Sequence, residues 1–163
     1  IIGILGAGMM GAGIALVAAH AGIEVVLVDQ DQNAANKGKE YSEKYLTDGI
    51  KRGKISEKIK EETLNRILAT DDYTKLADAD LVIEAVFEDT KVKSDVTKAA
   101  VEVIHKDCIF ASNTSTLPIS ELAKASKHPE NYIGIHFFSP VDKMMLVEII
   151  KGEKTESMAV AKA

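Results

Sequence analysis

A histidine and a glutamate near the C-terminal end of the chain have the types and spacing of a general-base pair. His136 lies in an apolar run at 132–138, and Glu148 lies in the next one, at 146–150. The link between the runs is too short for a helical crossover, so the two predicted strands should pair antiparallel. The carboxylate could then fix the imidazole tautomer and stabilise the imidazolium. Either residue alone is more often structural, so the pair is informative only beside a cofactor site.

A glycine-rich turn at the start of the chain predicts that cofactor site. The apolar run 1–5 leads into Gly-Ala-Gly-Met-Met-Gly, which fits the pattern G-x-G-x-x-G, and then into a helix-compatible stretch. In such a turn the glycines permit a tight bend, close approach of a pyrophosphate and close helix–strand packing, while the helix N-terminus holds the phosphates. The residues predicted to contact the cofactor here are Gly6, Ala7, Gly8, Met9, Met10 and Gly11.

The next apolar run, 23–28, ends at Asp29. Dinucleotide-binding units place an acid at about this spacing after the glycine turn, where it accepts hydrogen bonds from the adenosine ribose hydroxyls. Gln30 and Asp31 follow, with no arginine to neutralise a ribose phosphate. NAD is therefore favoured over NADP. The competing interpretation is a strand–helix–strand unit with an unused turn and a solvated Asp29.

The order of apolar runs predicts an α/β fold. Further buried strands are expected near 67–70, 81–86 and 108–111, and helices between them indicate a Rossmann-like, doubly wound, mostly parallel sheet with an antiparallel final pair. The polar stretch 32–66 predicts a helical hairpin inserted after the second strand, with a break at Gly53 and a second helix that starts near Ser56. Its lysines form either a solvated face or a phosphate-binding rim for a nucleotide-like substrate. They are Lys37, Lys39, Lys44, Lys51 and Lys54.

Composition excludes several classes of protein. The chain has 163 residues, 46% hydrophobic and 28% charged, which suits one globular domain over 1–163. A net charge of -5 argues against a general nucleic-acid binder, and no apolar run approaches the roughly 20 residues of a membrane span. The single Cys108 and the lack of metal-ligand spacing predict a reducing compartment and no metal site. The chain begins inside its first strand, which we interpret as a domain cut from a longer, non-secreted polypeptide.

Four ordered motifs together resemble the L-3-hydroxyacyl-CoA dehydrogenase family. They are the glycine turn 6–11, Ser-Asn-Thr-Ser at 112–115, His-Phe-Phe-Ser-Pro at 136–140 and Val-Glu-Ile at 147–149. The form His-Phe-Phe-Ser-Pro-Val-Asp-Lys-Met is most similar to the dehydrogenase part of multifunctional fatty-acid oxidation α-subunits. The resemblance covers essentially the whole chain. It implies NAD-dependent oxidation of L-3-hydroxyacyl-CoA to 3-ketoacyl-CoA in fatty-acid β-oxidation.

The resemblance also assigns roles to individual residues. By it, His136 is the base that takes the 3-hydroxyl proton, Glu148 orients that base, and Ser115 lies near the substrate hydroxyl. Ser139 stands where the monofunctional enzymes usually carry an asparagine that contacts substrate, and so belongs to the expected substrate site. The expected cofactor contacts beyond the glycine turn are Asp29, Glu88, Lys93 and Asn113. For Glu88 and Lys93 the sequence alone favours solvated charges at a helix start.

The family further implies a C-terminal helical domain that closes the acyl-CoA cleft and mediates dimerisation, and residues 1–163 do not include it. We therefore expect a dimer or multienzyme complex in the full-length protein, and a fragment that binds NAD better than it turns over substrate. The compartment is expected to be the cytoplasm if the protein is bacterial, or an organelle matrix if it is eukaryotic. Two other functions stay open: an NAD-dependent dehydrogenase of a free 3-hydroxy acid, and a non-catalytic NAD-binding module.

Overall fold

A computed structural model describes all residues, 1–163, and contains one seven-stranded sheet. The strands are β1 (Ile2–Leu5), β2 (Val25–Val28), β3 (Ile67–Thr70), β4 (Leu81–Glu84), β5 (Ile109–Ser112), β6 (Tyr132–Phe137) and β7 (Val147–Lys151). The helices are α1 (Met9–His20), α2 (Gln32–Lys51), α3 (Glu57–Asn65), α4 (Thr90–Val101), α5 (Ile119–Leu122) and α6 (Ser157–Lys162). Short 3₁₀ turns cover 73–76, 123–125 and 129–131.

The strand order β3-β2-β1-β4-β5-β6-β7 is that of a doubly wound sheet. All neighbours are parallel except β6 and β7, which are antiparallel. The predicted α/β fold is thereby confirmed, including its antiparallel final pair. The order reverses at β1, so a crevice opens between the carboxyl ends of β1 and β4, where such sheets bind their ligands.

The predicted helical hairpin after β2 is also present. Its first helix, α2, is capped by Asp31, which accepts the Ala34 N–H at 2.8 Å. Ser56 caps α3 by accepting the Ile59 N–H at 3.2 Å. Gly53 lies between the helices with φ of +68°, a conformation that other residues avoid, so the glycine ends the first helix as the sequence predicts.

Apolar side chains alternate between the two faces of the sheet, and each face has its own core. One core joins strand residues such as Ile4 and Ile83 to α1 and α6, while the other joins Leu5 and Val82 to α4 and α5. Each fully buried aliphatic side chain of this kind contributes about 1.5–3 kcal/mol. Both faces are therefore covered, as a parallel sheet requires. No helix of the structure combines the length and the apolar character needed to cross a bilayer.

The two edges of the sheet, β3 and β7, differ in how they are covered. At the β3 edge, side chains of α2 occupy backbone carbonyls: Gln32 donates to the Ala69 oxygen at 2.9 Å and Lys39 to the Ile67 oxygen at 2.7 Å. Such capping blocks the pairing of a further strand. At the β7 edge, Val147 and Ile149 are partly exposed.

Candidate functional site

The glycine turn has the geometry that a dinucleotide requires. Gly6 has φ of +94°, and a Cβ there would lie 2.8 Å from the Ala85 carbonyl oxygen of the neighbouring strand end. A Cβ on Gly11 would lie 1.8 Å from the Gly6 oxygen, so only glycine allows α1 to pack this closely against the turn. A Cβ on Gly8 would meet no atom within 4 Å. That side of the turn is open, which leaves room for a phosphate to approach the backbone.

The N-terminus of α1 lacks a side-chain cap, in contrast to the other long helices. Its N-cap residue is Gly8, whereas α2, α3 and α4 are capped by Asp31, Ser56 and Asp89. The first N–H groups of a helix have no intrahelical partner, and together with the helix dipole they attract anions. Met9 in this first turn is 69% exposed. The start of α1 is therefore free to receive the pyrophosphate.

Asp29 lies at the end of β2, beside the turn. Its carboxylate accepts the Ala7 N–H at 2.6 Å and the Gln30 N–H at 2.7 Å. These bonds hold the side chain at the mouth of the crevice and leave acceptor capacity on both oxygens. The carboxylate is thus oriented for the paired hydroxyls of a ribose.

His136 and Glu148 lie side by side, as their spacing predicts. They are direct partners in the antiparallel ladder of β6 and β7. The imidazole Nδ1 lies 2.9 Å from Oε2 of Glu148. The side chain of His136 is 18% exposed and that of Glu148 is 52% exposed, so the pair faces solvent. Nε2 is the ring nitrogen that this contact leaves unengaged. The ring of Phe138 lies 4.5 Å from the imidazole, centroid to centroid.

The turn after β5 is tied to the same place. Asn113 accepts the Phe137 N–H at 2.9 Å through its side-chain oxygen, which joins the end of β5 to the residue after His136. Ser115 is exposed within the turn, and its backbone N–H donates to Glu88 at 3.1 Å. Ser139 is also exposed, two residues beyond Phe137, before a cis peptide bond to Pro140. The structure thus brings Asn113, Ser115 and His136 to one edge of the sheet.

A charged cluster lies beneath this turn, and it corrects the expectation of solvated charges. Lys93 of α4 is only 1% exposed, and its ammonium contacts both carboxylate oxygens of Glu84, at 3.0 and 2.9 Å. The same ammonium lies 3.2 Å from Glu88, whose side chain is 38% exposed. Lys93 is therefore fully engaged inside the protein. A direct contact between Lys93 and the cofactor stays a prediction.

The pKa values of the two carboxylates in the cluster are shifted in opposite directions. Burial raises the pKa of Glu84 above its ordinary value, while Lys93 and a hydrogen bond from Ser112 act against it. Partial burial also acts to raise the pKa of Glu88, but the hydrogen bond from Thr114 and the charge of Lys93 outweigh it, so that this pKa is lowered. Glu84 and Ser112 were missed as site residues by the sequence reasoning. The one available signal was an acid that closes an apolar strand.

The lysines of the helical hairpin lie in different surroundings, and a phosphate-binding role for them stays a prediction. Lys39 caps the β3 edge, and Lys51 pairs with Asp48 at the surface. Lys54 lines a cleft of about 800 Å³ between α1, α2 and the loop after β6, together with Arg52 and Lys143. No group of three or more His, Cys, Asp or Glu side chains is placed to hold a metal ion.

The family model described as "3-hydroxyacyl-CoA dehydrogenase, NAD binding domain" matches residues 1–163. The chain belongs to this family. The cofactor predicted from the glycine turn and Asp29, NAD, is the one that the family description names. The uncapped start of α1 and the oriented carboxylate fit that cofactor.

Relatives of this 3-hydroxyacyl-CoA dehydrogenase domain are considerably longer than residues 1–163. The fatty acid oxidation complex subunit alpha of Psychrobacter cryohalolentis is 44% identical over 158 residues, which cover 97% of this chain and 22% of the relative. The protein of the same name from Idiomarina loihiensis is 46% identical over the same shares. The predicted likeness to multifunctional α-subunits is confirmed by these names.

Solved structures of the family share the fold. The (S)-3-hydroxybutyryl-CoA dehydrogenase PaaH1 from Ralstonia eutropha has a TM-score of 0.95 and 38% identity, covering 99% of this chain and 57% of that one. The 3-hydroxybutyryl-CoA dehydrogenase from Escherichia coli has a TM-score of 0.94 and 37% identity, covering 99% and 34%.

Proposed function

We propose that this domain serves an enzyme that oxidises L-3-hydroxyacyl-CoA to 3-ketoacyl-CoA, with His136 as the general base, in fatty-acid β-oxidation. The observation that carries the proposal is the 2.9 Å contact between Nδ1 of His136 and Glu148 at the strand edge that also holds Asn113 and Ser115. A base at that place is what removal of a hydroxyl proton requires.

Residues of this chain take up the proton of the substrate 3-hydroxyl group. Glu148 accepts the Nδ1–H of His136, which leaves Nε2 with a lone pair toward the substrate. Nε2 takes the proton of the 3-hydroxyl group, and the resulting imidazolium is stabilised by the adjacent carboxylate. We assign the exposed Ser115 hydroxyl to hydrogen-bond the same oxygen. NAD, when bound, accepts the hydride that leaves C3, so that a carbonyl remains.

The cleft between α1, α2 and the loop after β6 suits a substrate that carries phosphates. Arg52, Lys54 and Lys143 line it, together with Tyr45 and Asp142. Cationic side chains of this kind recognise phosphate groups. We assign the cleft to the nucleotide end of coenzyme A, which leaves the acyl end to reach toward His136.

The longer relatives support a further part of the proposal. This chain spans about a fifth of the curated relatives it matches, 22% of their length. A C-terminal helical domain would close the acyl-CoA cleft and mediate dimerisation or complex assembly. We propose that turnover depends on that domain and that residues 1–163 act as its cofactor-binding partner.

The test measures NADH oxidation with acetoacetyl-CoA and with free acetoacetate. It uses a polypeptide in which this chain is followed by a C-terminal helical domain, with and without His136→Gln. We expect acetoacetyl-CoA to react faster than acetoacetate, and the variant to lose about 10²–10⁴-fold in kcat, the usual contribution of a general base. The matched control is His128→Gln, because His128 also pairs with a glutamate, Glu130, at 3.1 Å but lies away from the site. The control should keep the full rate.

Each alternative gives a different result. Faster reaction of free acetoacetate would identify a dehydrogenase of free 3-hydroxy acids. Binding of NADH with no turnover of either substrate would identify a non-catalytic module. A rate within about threefold of the original after His136→Gln would show that His136 is not the base.

A further inference from the structure

We propose that Glu84 is a positioning residue that fixes the turn carrying Asn113 and Ser115, acting through Lys93 and Glu88. The inference rests on the proposed function only in that the turn faces the nicotinamide end of the cofactor. Glu84 itself is fully buried and touches neither cofactor nor substrate. Its effect passes through a continuous series of polar contacts.

The series begins at the end of β4. Glu84 accepts hydrogen bonds from the Ser112 hydroxyl, from the Lys93 ammonium and from the Val86 N–H at 3.3 Å. Every one of these partners is a donor, so they satisfy the side chain as a carboxylate. Strands β4 and β5 and helix α4 are thereby joined at one point inside the protein.

The second contact transmits this fixed position outward. Lys93 lies 2.9 Å from Glu84 on one side and 3.2 Å from Oε2 of Glu88 on the other. Because its side chain is 1% exposed, the ammonium has no water to turn toward. A buried ammonium must keep its anionic partners, since leaving one unpaired is costly. Glu88 is therefore held in place by a cation that is itself held by Glu84.

The third contact reaches the turn. Oε1 of Glu88 accepts the Thr114 hydroxyl, the Ser115 N–H at 3.1 Å and the Thr116 hydroxyl at 3.3 Å. One carboxylate oxygen thus organises three consecutive residues. A glutamate that is 38% exposed would ordinarily gain little from such contacts, because the free side chain keeps its rotamer entropy. The anchored Lys93 removes that freedom.

Stability alone does not explain the cluster. Two carboxylates share one ammonium, and taking charges out of water is costly. Well-packed apolar side chains of similar volume are often as stable in such places. The charged cluster provides a directed hydrogen-bond acceptor for the Ser115 N–H, which an apolar core does not provide. The adenosine end of the cofactor is held elsewhere, by Asp29 and the glycine turn.

The experiment therefore compares two ligands that share the adenosine end. Binding of NAD⁺ and of ADP-ribose, which lacks nicotinamide, is measured by titration calorimetry on residues 1–163 and on Glu84→Gln. We expect ADP-ribose affinity to stay within about twofold, and NAD⁺ affinity to fall about fivefold, the scale of one hydrogen bond. The Ser115 amide, followed by NMR, should exchange with solvent faster in the variant.

Tyr132→Phe is the matched control. The Tyr132 hydroxyl is buried and makes no hydrogen bond of ordinary geometry. Burial and the nearby Glu84 carboxylate raise the pKa of Tyr132, while the neighbouring Thr97 and Ser112 hydroxyls act against them. Removing the Tyr132 hydroxyl disturbs the same region but none of the three contacts, so both affinities should be kept. If Glu84→Gln fails to fold, the double variant Glu84→Gln with Lys93→Met is used instead, because it removes both charges of the buried pair. It should show the same selective loss of NAD⁺ affinity.

The outcomes separate this inference from the proposed function. Equal losses for both ligands, or an unchanged Ser115 amide, would overturn the positioning role. A selective loss of NAD⁺ affinity, together with no turnover of acetoacetyl-CoA by the polypeptide that includes the C-terminal helical domain, would support the positioning role and refute the proposed substrate.

Discussion

Two side-chain pairs have the same contact distance but opposite surroundings. One is His136 with Glu148, and the other is Lys93 with Glu84. In each, a nitrogen lies 2.9 Å from a carboxylate oxygen near the carboxyl ends of the strands. The first pair sits on β6 and β7, with the histidine 18% and the glutamate 52% exposed. The second is enclosed by β4, β5 and α4, with exposures of 1% and 0%.

This difference separates two uses of charge. A pair that water reaches can gain and release a proton during each turnover, since either protonation state is solvated. A buried pair loses too much by changing its charge, and so it keeps one state and one geometry. The exposed pair suits chemistry and the buried pair suits positioning.

The largest effect is expected from Lys93→Met. The substitution leaves Glu84 without its cation inside the protein, and breaking a buried pair in this way costs about 3–5 kcal/mol of stability. Lys91→Met is the control, because Lys91 lies on the same helix and pairs with Asp95 at the surface. Urea denaturation should show a large loss for the first variant and no measurable loss for the second. Equal losses would erase the distinction between buried and exposed pairs.

Glu148→Gln should show the opposite pattern. The amide still contacts Nδ1 but does not stabilise an imidazolium, so kcat should fall at least about tenfold, though less than the roughly 10²–10⁴-fold expected for His136→Gln. Stability should be unchanged, because the side chain is half exposed. The checks are the dehydrogenase assay and a thermal melt. A stability loss without a rate loss would assign the pair a structural role.

The smallest effect concerns pH and Glu88. The pKa of Glu88 in the folded protein lies below its ordinary value of 4.5, so the stability it contributes is present above that value. That contribution is lost as pH falls through the folded pKa. The stability difference between the original protein and Glu88→Gln should therefore shrink between about pH 5 and pH 3 in urea titrations. Glu153→Gln serves as the control for removing one surface charge. A difference independent of pH would contradict the prediction.

Features that depend on neighbouring residues could be predicted from the sequence. The glycine turn follows directly from the spacing of three glycines, and the helical hairpin follows from Ser56 and Gly53, which both act within a turn of chain. The pairing of His136 with Glu148 was predictable because the link between their strands leaves one arrangement.

Features that depend on contacts between distant elements could not be predicted from the sequence. Lys93 looks like a solvated charge near a helix start, since its burial is decided by where α4 packs on the sheet. Glu84 looks like the polar end of a strand, and Ser112 gives no sign that it will donate to it from the next strand. The sequence shows that Lys93 follows Glu84 by nine residues, but it does not show that the two side chains are in contact.

The hydrogen bond from the Phe137 N–H to Asn113 has a consequence for how the chain can vary. Together with the pairing of β5 and β6, it sets the separation of Ser115 and His136 without help from the residues between them. Residues 117–131, which include α5 and two of the three 3₁₀ turns, pack on the sheet but take no part in that bond. The exposed part of this segment can therefore vary in length and sequence among descendants of one ancestor while the spacing of Ser115 and His136 is kept.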